Sequence, residues 1–143
     1  MNDSRPNGSS DDQVDPILDM MFAGCEEVVG IEHVQSILAG GESHSGNSHL
    51  VAYIGLEPSG SAHLGWVILA ETMRNLLDGK ANLVILLADW HAWVNDKFGR
   101  DMEKISLAAD YMCEVFRSML VGYSEGDGDG QFRFLRASEL MDS

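Results

Sequence analysis

The run Leu83 to Ala88, LVILLA, constrains the fold of this chain more than any other segment. It is apolar throughout and includes β-branched members. That is the pattern of a central parallel strand buried on both faces, since a strand with one wet face would alternate. Earlier in the chain, about Leu50 to Gly55 reads as a first strand. Between the two, Ser61 to Leu77 places Gly65, Leu69, Met73 and Leu76 on one helical face, and Asp78-Gly79 ends the helix. Strand, helix and strand in this order predict a right-handed βαβ unit.

The flanking segments fit the same class. Asp15 as N-cap and Pro16 at the first helical position open a helix with Ile17, Met20, Met21 and either Cys25 or Val28 inward. A second short helix is predicted from Gly30 to Leu38, with Val34, Ile37 and Leu38 buried, and then a loop from Ala39 to Ser48. After LVILLA and a polar loop, Asp101 caps a long helix. Its apolar positions Ile105, Ala108, Ala109, Met112, Val115, Phe116 and Met119 keep the 3.6 period. Beyond the acidic linker SEGDGDG, Phe132 to Leu135 reads as a third strand. The expected architecture is α/β with a mainly parallel sheet, preceded by N-terminal helices.

Residues 1–14 are rich in Asn, Ser, Asp and Gly and read as a disordered acidic tail, leaving 15–143 as one domain. The charge is lopsided: 23 acidic against 9 basic residues give −14, with no Lys or Arg between Arg5 and Arg74. Such a surface argues against nucleic-acid binding, which leans on phosphate neutralisation, unless the acidity is of the general, halophilic kind. Cys25 and Cys113 have no metal-ligand spacing and read as buried thiols of a reducing cytoplasm. No run is long and apolar enough to span a membrane, and the polar N-terminus is no signal peptide.

The chemistry concentrates in AYIGLEPSGSAHLGW, Ala52 to Trp66. A strand, a tight turn and a helix N-terminus carrying an imidazole prepare a place for phosphates, because N–H groups at a helix start lack intrahelical partners. His63 reads either as a plain capping residue or as a phosphate donor. Pro58 prevents regular pairing, Gly60 permits a tight turn, and Gly65 lets backbone or ligand come close. Asp89 and His91 directly follow the central strand, at the carboxyl edge where ligands of open α/β sheets bind. The plainer reading is that they cap the next turn and pair with each other. Trp90 and Trp93 read as packing residues, and His44 and His49 as solvated. The P-loop and Gly-x-Gly-x-x-Gly signatures are absent, and no metal cluster or Ser-His-Asp arrangement is visible.

AYIGLEPSGSAHLGW and LVILLADWHAWVNDKFG together resemble the N-terminal half of the catalytic domain of class I tyrosyl-tRNA synthetases, of the archaeal and eukaryotic type. HLGW stands where that class has its His-x-Gly-His signature, with Trp66 in place of the second His. The resemblance runs from about Pro16 to Asp142. It implies a partial Rossmann-like (HUP-type) domain. It also implies an enzyme that joins tyrosine to ATP, brought with Mg2+, and passes the tyrosyl group to tRNA(Tyr). By position, His63 and Trp66 would be catalytic. Pro58, Ser59, Gly60, His63 and Gly65 would meet ATP, and Tyr53, Gly55, Glu57, Asp89 and His91 would line the tyrosine pocket. A cytoplasmic protein, a possible homodimer and no membrane partner go with it. The family continues past this length into its Lys-Met-Ser-Lys-Ser loop and anticodon-binding domain, so the chain on its own is expected to be inactive. Alternatives are a non-catalytic nucleotide- or protein-binding module derived from a synthetase, a tryptophanyl-type fragment, or another nucleotidyltransferase with the same signature.

Overall fold

A computed structural model describes residues 16–40 and 50–141. The expected tail at 1–14, the Asp15 cap, His44, His49 and Asp142 lie outside the described residues. Four strands form one sheet in the order β1-β2-β4-β3, where β1 is Val51–Leu56, β2 Asn82–Leu87, β3 Ser124–Glu125 and β4 Gln131–Arg136. Every pairing is parallel, with Ala52 opposite Leu83 and Leu83 opposite Phe132. The helices are α1 (Pro16–Met21), α2 (Ile31–Leu38), α3 (Leu64–Asp78), α4 (Asp89–Val94), α5 (Met102–Met119) and α6 (Ala137–Met141). The parallel α/β class expected from the sequence is the one observed.

The core lies between one face of the sheet and helices α3 and α5. Leu83, Ile85 and Leu87 of β2 meet Ala70, Met73 and Leu77 of α3 and Ala109, Met112 and Phe116 of α5. Ala52, Ile54 and Leu56 pack on the same side from β1, as does Phe132 from β4. Alternation sends Tyr53, Gly55, Leu86 and Leu135 to the opposite face. Tyr53 is 76% exposed there and Val51 50%.

Several local expectations shift. On α1 the buried residues are Leu18 and Met21, while Ile17 and Met20 are exposed. Cys25 is exposed and Cys113 is buried, so only the second thiol meets its expectation. The buried face of α3 is Trp66, Ala70, Met73 and Leu77, rotated from the predicted one by about one residue. The loop after β2 holds α4 and a 3-10 turn over Lys97–Arg100. Within the acidic linker, Ser124 and Glu125 pair with β4, pinned by Arg117, whose Nε and Nη2 reach the Glu125 carboxylate at 2.9 and 3.1 Å.

The end of α3 shows how packing and backbone divide the work. Lys80 and Ala81 donate to the carbonyls of Leu77 and Leu76, both at 3.0 Å, in a Schellman arrangement. The left-handed residue is Lys80, with φ of 64°, not Gly79, whose φ is −73°. Gly79 is required for another reason: a Cβ there would lie 2.3 Å from Met21 Cγ, so glycine lets α1 sit against the end of α3.

Candidate active site

The carboxyl ends of β1 and β2 carry the candidate residues. His63 is the N-cap of α3, with an extended backbone and a Nδ1 that accepts from Gly65 N–H at 3.1 Å. An accepting Nδ1 places the proton of the neutral ring on Nε2, which leaves that N–H as a donor for an incoming anion. The helix start is less vacant than its sequence suggests. Gly65 N–H is taken by the His63 ring, Trp66 N–H by the His63 carbonyl at 2.9 Å, and Ala62 N–H reaches Tyr111 Oη at 3.4 Å.

The glycines play different parts from those expected. A Cβ on Gly65 would lie 2.9 Å from His63 Cε1, so the space that glycine leaves holds the imidazole itself. Gly60 does not adopt the left-handed region, and a Cβ there would meet open space, so the turn does not require it. Pro58 is fully buried and shapes the loop from beneath, whereas Ser59 and Gly60 are exposed.

Trp66, expected as a catalytic group, faces the core. It is 9% exposed and stacks on Phe116, with centroids 5.5 Å apart and planes at 18°. Its other neighbours are Tyr111 at 6.1 Å and His63 at 5.9 Å. The indole sits behind the loop and supports it.

Of the five residues expected around tyrosine, the structure joins Glu57 and His91, places Tyr53 and Gly55 on the open face of β1, and takes Asp89 elsewhere. Glu57 Oε2 accepts from Asn95 Nδ2 at 2.5 Å and lies 3.6 Å from His91 Nε2, while Oε1 lies 3.4 Å from Lys97 Nζ. Among the described residues a Cβ on Gly55 would meet nothing within 4 Å, so the face of β1 beside Tyr53 is uncovered there. Asp89 is 2% exposed and does not pair with His91. Its Oδ1 accepts from the N–H groups of Trp90 at 2.9 Å and Ser138 at 3.0 Å, and its Oδ2 from Ser138 Oγ at 2.5 Å. With Ser106, Asp110 and Arg136 it lines a cleft of about 560 Å³ on the α5 side of the edge. A second cavity, of about 510 Å³, adjoins Gly60 and Ser61 and reaches Phe98 and Tyr111.

Sequence reasoning missed Asn95, Lys97, Tyr111 and Ser138. The first two stand in a polar run beside the aromatic motif, where a composition signal existed. Ser138 carries none, because its partner is 49 residues away. Trp90 and Trp93 contact each other edge to face at 6.0 Å, and Arg100 lies over Trp93 at 5.4 Å. Among the described residues no three His, Cys, Asp or Glu side chains come together as a metal site, and no helix is long and apolar enough to cross a membrane.

Known proteins are similar to this chain in sequence and in fold. The family described as tRNA synthetases class I (W and Y) matches residues 45–123. A tyrosine–tRNA ligase of Saccharolobus solfataricus is 38% identical over 105 residues, which are 73% of this chain and 27% of that protein. One from Sulfolobus acidocaldarius is 38% identical over 112 residues, covering 78% and 29%. The chain therefore spans little more than a quarter of the length of these relatives. The crystal structure of tyrosyl-tRNA synthetase from Aeropyrum pernix superposes with a TM-score of 0.73 at 31% identity, over 89% of this chain and 35% of that one. The Archaeoglobus fulgidus tyrosyl-tRNA synthetase complexed with L-tyrosine gives 0.72 at 29%, over 89% and 36%. By its sequence match and its fold alike, the chain belongs to the class I tRNA synthetases of the tryptophan and tyrosine group.

Proposed function

We propose that this chain supplies part of the tyrosine-activating centre of a tyrosine–tRNA ligase. The tyrosine carboxylate attacks the α-phosphate of ATP, pyrophosphate leaves, and the tyrosyl group of the adenylate passes to tRNA(Tyr). The carrying observation is the placement of His63 at the start of α3, exposed and with Nε2–H unspent by its own cap, at the end of the strand that presents Tyr53 and Gly55. His63 Nε2–H would donate to phosphate oxygens as charge builds on them, and Ser59 and Gly60 would meet the nucleotide from the loop. Tyr53, Gly55, Glu57 and His91 would bound the amino acid. Magnesium would arrive as the counter-ion of the nucleotide. In this reading most of the rate comes from holding carboxylate and phosphate in line. A cytoplasmic location and a homodimer belong to the same proposal.

Ligand titration followed by backbone amide shifts tests the assignment. L-tyrosine should perturb Tyr53, Gly55 and Glu57, and ATP with magnesium should perturb Ser59 to Gly65. Perturbation by tryptophan in preference to tyrosine refutes the substrate. Tyrosine-dependent ATP–pyrophosphate exchange is expected to be negligible for the 143-residue chain. Appreciable exchange that His63→Ala abolishes would show that this segment is sufficient.

A further inference from the structure

We propose that Asp89 is a positioning residue that sets the tyrosine-side pair Glu57–His91 by clamping α4 to α6, and that it does not touch the substrate. This rests on the functional reading above. Helix α4 is six residues long, too short to hold its shape without outside contacts. It lies across the carboxyl edge of the sheet, packs against α5 with Ala92 buried, and is tied by side-chain hydrogen bonds at its two ends. At its C-cap, Asn95 donates to Glu57, which follows β1, and His91 and Lys97 approach the same carboxylate. At its first residue, Asp89 holds Ser138 in α6, which follows β4. The helix thus bridges the ends of the outer strand β1 and the inner strand β4, with β2 between them.

The chemistry of the contact suits fastening rather than recognition. Each Asp89 oxygen is engaged: Oδ1 by two backbone N–H groups and Oδ2 by a hydroxyl. The carboxylate is buried, and a buried acceptor left without its donors is costly, so the bond set enforces one orientation of the two helix starts. The cleft that Asp89 lines opens on the α5 side, away from the face bearing Tyr53 and Gly55. Arg136 in the same cleft is already held by Ser106 Oγ at 2.8 Å and by Asp110. An asparagine can reproduce the clamp, accepting at its oxygen and donating from its amide to Ser138 Oγ. An alanine cannot.

The test is nuclear Overhauser contact between the Asn95 side-chain amide and Glu57 in the 143-residue chain, in wild type, Asp89→Asn, Asp89→Ala and Ser138→Ala. The contact should persist in Asp89→Asn, disappear in Asp89→Ala and weaken in Ser138→Ala. If Asp89→Ala fails to fold, Ser138→Ala decides the matter. An unweakened Asn95–Glu57 contact in Ser138→Ala, or in folded Asp89→Ala, overturns the clamp. So does loss of the contact in Asp89→Asn. A tyrosine titration adds the second arm: affinity should fall about tenfold or more in Asp89→Ala while Asp89→Asn stays within about twofold. If the wild-type chain takes no tyrosine, the functional reading fails, and the Overhauser contacts still decide whether Asp89 positions α4.

Discussion

Replacing Trp66 by the histidine of the family signature should cost this chain stability. Trp66 is buried, stacks on Phe116 and belongs to the core cluster between the sheet and its two helices. A tryptophan buries roughly 150–250 Å². An imidazole covers about half of that, so about 100 Å² of packing is lost, which is about 2.5 kcal/mol at ~25 cal/mol per Å². The offset stack on Phe116 adds about 0.5–1.5 kcal/mol. The sum, roughly 3–4 kcal/mol, is a large share of the ~5–15 kcal/mol that holds a domain together. For a chain of this size the melting temperature should drop by about 10 °C. Urea unfolding followed by far-ultraviolet circular dichroism reads this directly, without relying on the indole whose fluorescence the substitution removes. A Trp66→His variant within ~0.5 kcal/mol of wild type behaves as a surface substitution. That outcome would refute the assignment of the indole to the core and return Trp66 to the reacting side of the loop.

Other outcomes follow from the same structure. Gly79→Ala should destabilise by roughly 1–3 kcal/mol because its Cβ meets Met21, whereas Lys80→Gly should stabilise by about 1 kcal/mol by relieving a left-handed lysine; thermal melts distinguish the two signs. Hydrogen bonds from the Lys104 side chain, and then from its backbone N–H, hold the Asp101 carboxyl below its usual range. A lowered native value stabilises above the unfolded one, near pH 4, and is lost as pH falls through the native one. Melts of Asp101→Asn should therefore differ from wild type near neutrality and converge with it in acid. Burial pushes the Cys113 thiol up while Cys25 is exposed, so a thiol reagent should label one cysteine at once and the other only on unfolding.

What the sequence could reveal depended on how far apart the interacting residues are. LVILLA announced β2 because burial on both faces leaves a continuous apolar run, and α5 announced itself through five turns of regular spacing. Helix α4 was invisible because six residues give no period to read, and α6 for the same reason. The end of α3 misled by one residue: glycine is the usual left-handed terminator, but here it serves a close approach and lysine takes the strained backbone. At the site, Glu57 and His91 lie in the segments that follow β1 and β2, and His63 caps α3, positions that strand-and-helix order alone makes readable. The motif misplaced Asp89, since adjacency to His91 in sequence says nothing about which side of a helix start a carboxylate takes. The Ser138 contact is a product of strand order, and strand order is not written locally.

The outer edge of β1, bare among the described residues, has a colloidal consequence. Among the described residues this strand pairs only with β2, and VAYIGL carries no charge to deter another strand from adding beside it. A net charge of −14 opposes such edge-to-edge addition through long-range repulsion. Salt shortens that repulsion, from a reach of ~30 Å at 0.01 M to ~3 Å at 1 M. Ionic strength should therefore govern strand addition at this edge: dilute buffer opposes it, and concentrated salt leaves the edge and the exposed Val51 and Tyr53 freer to meet another strand.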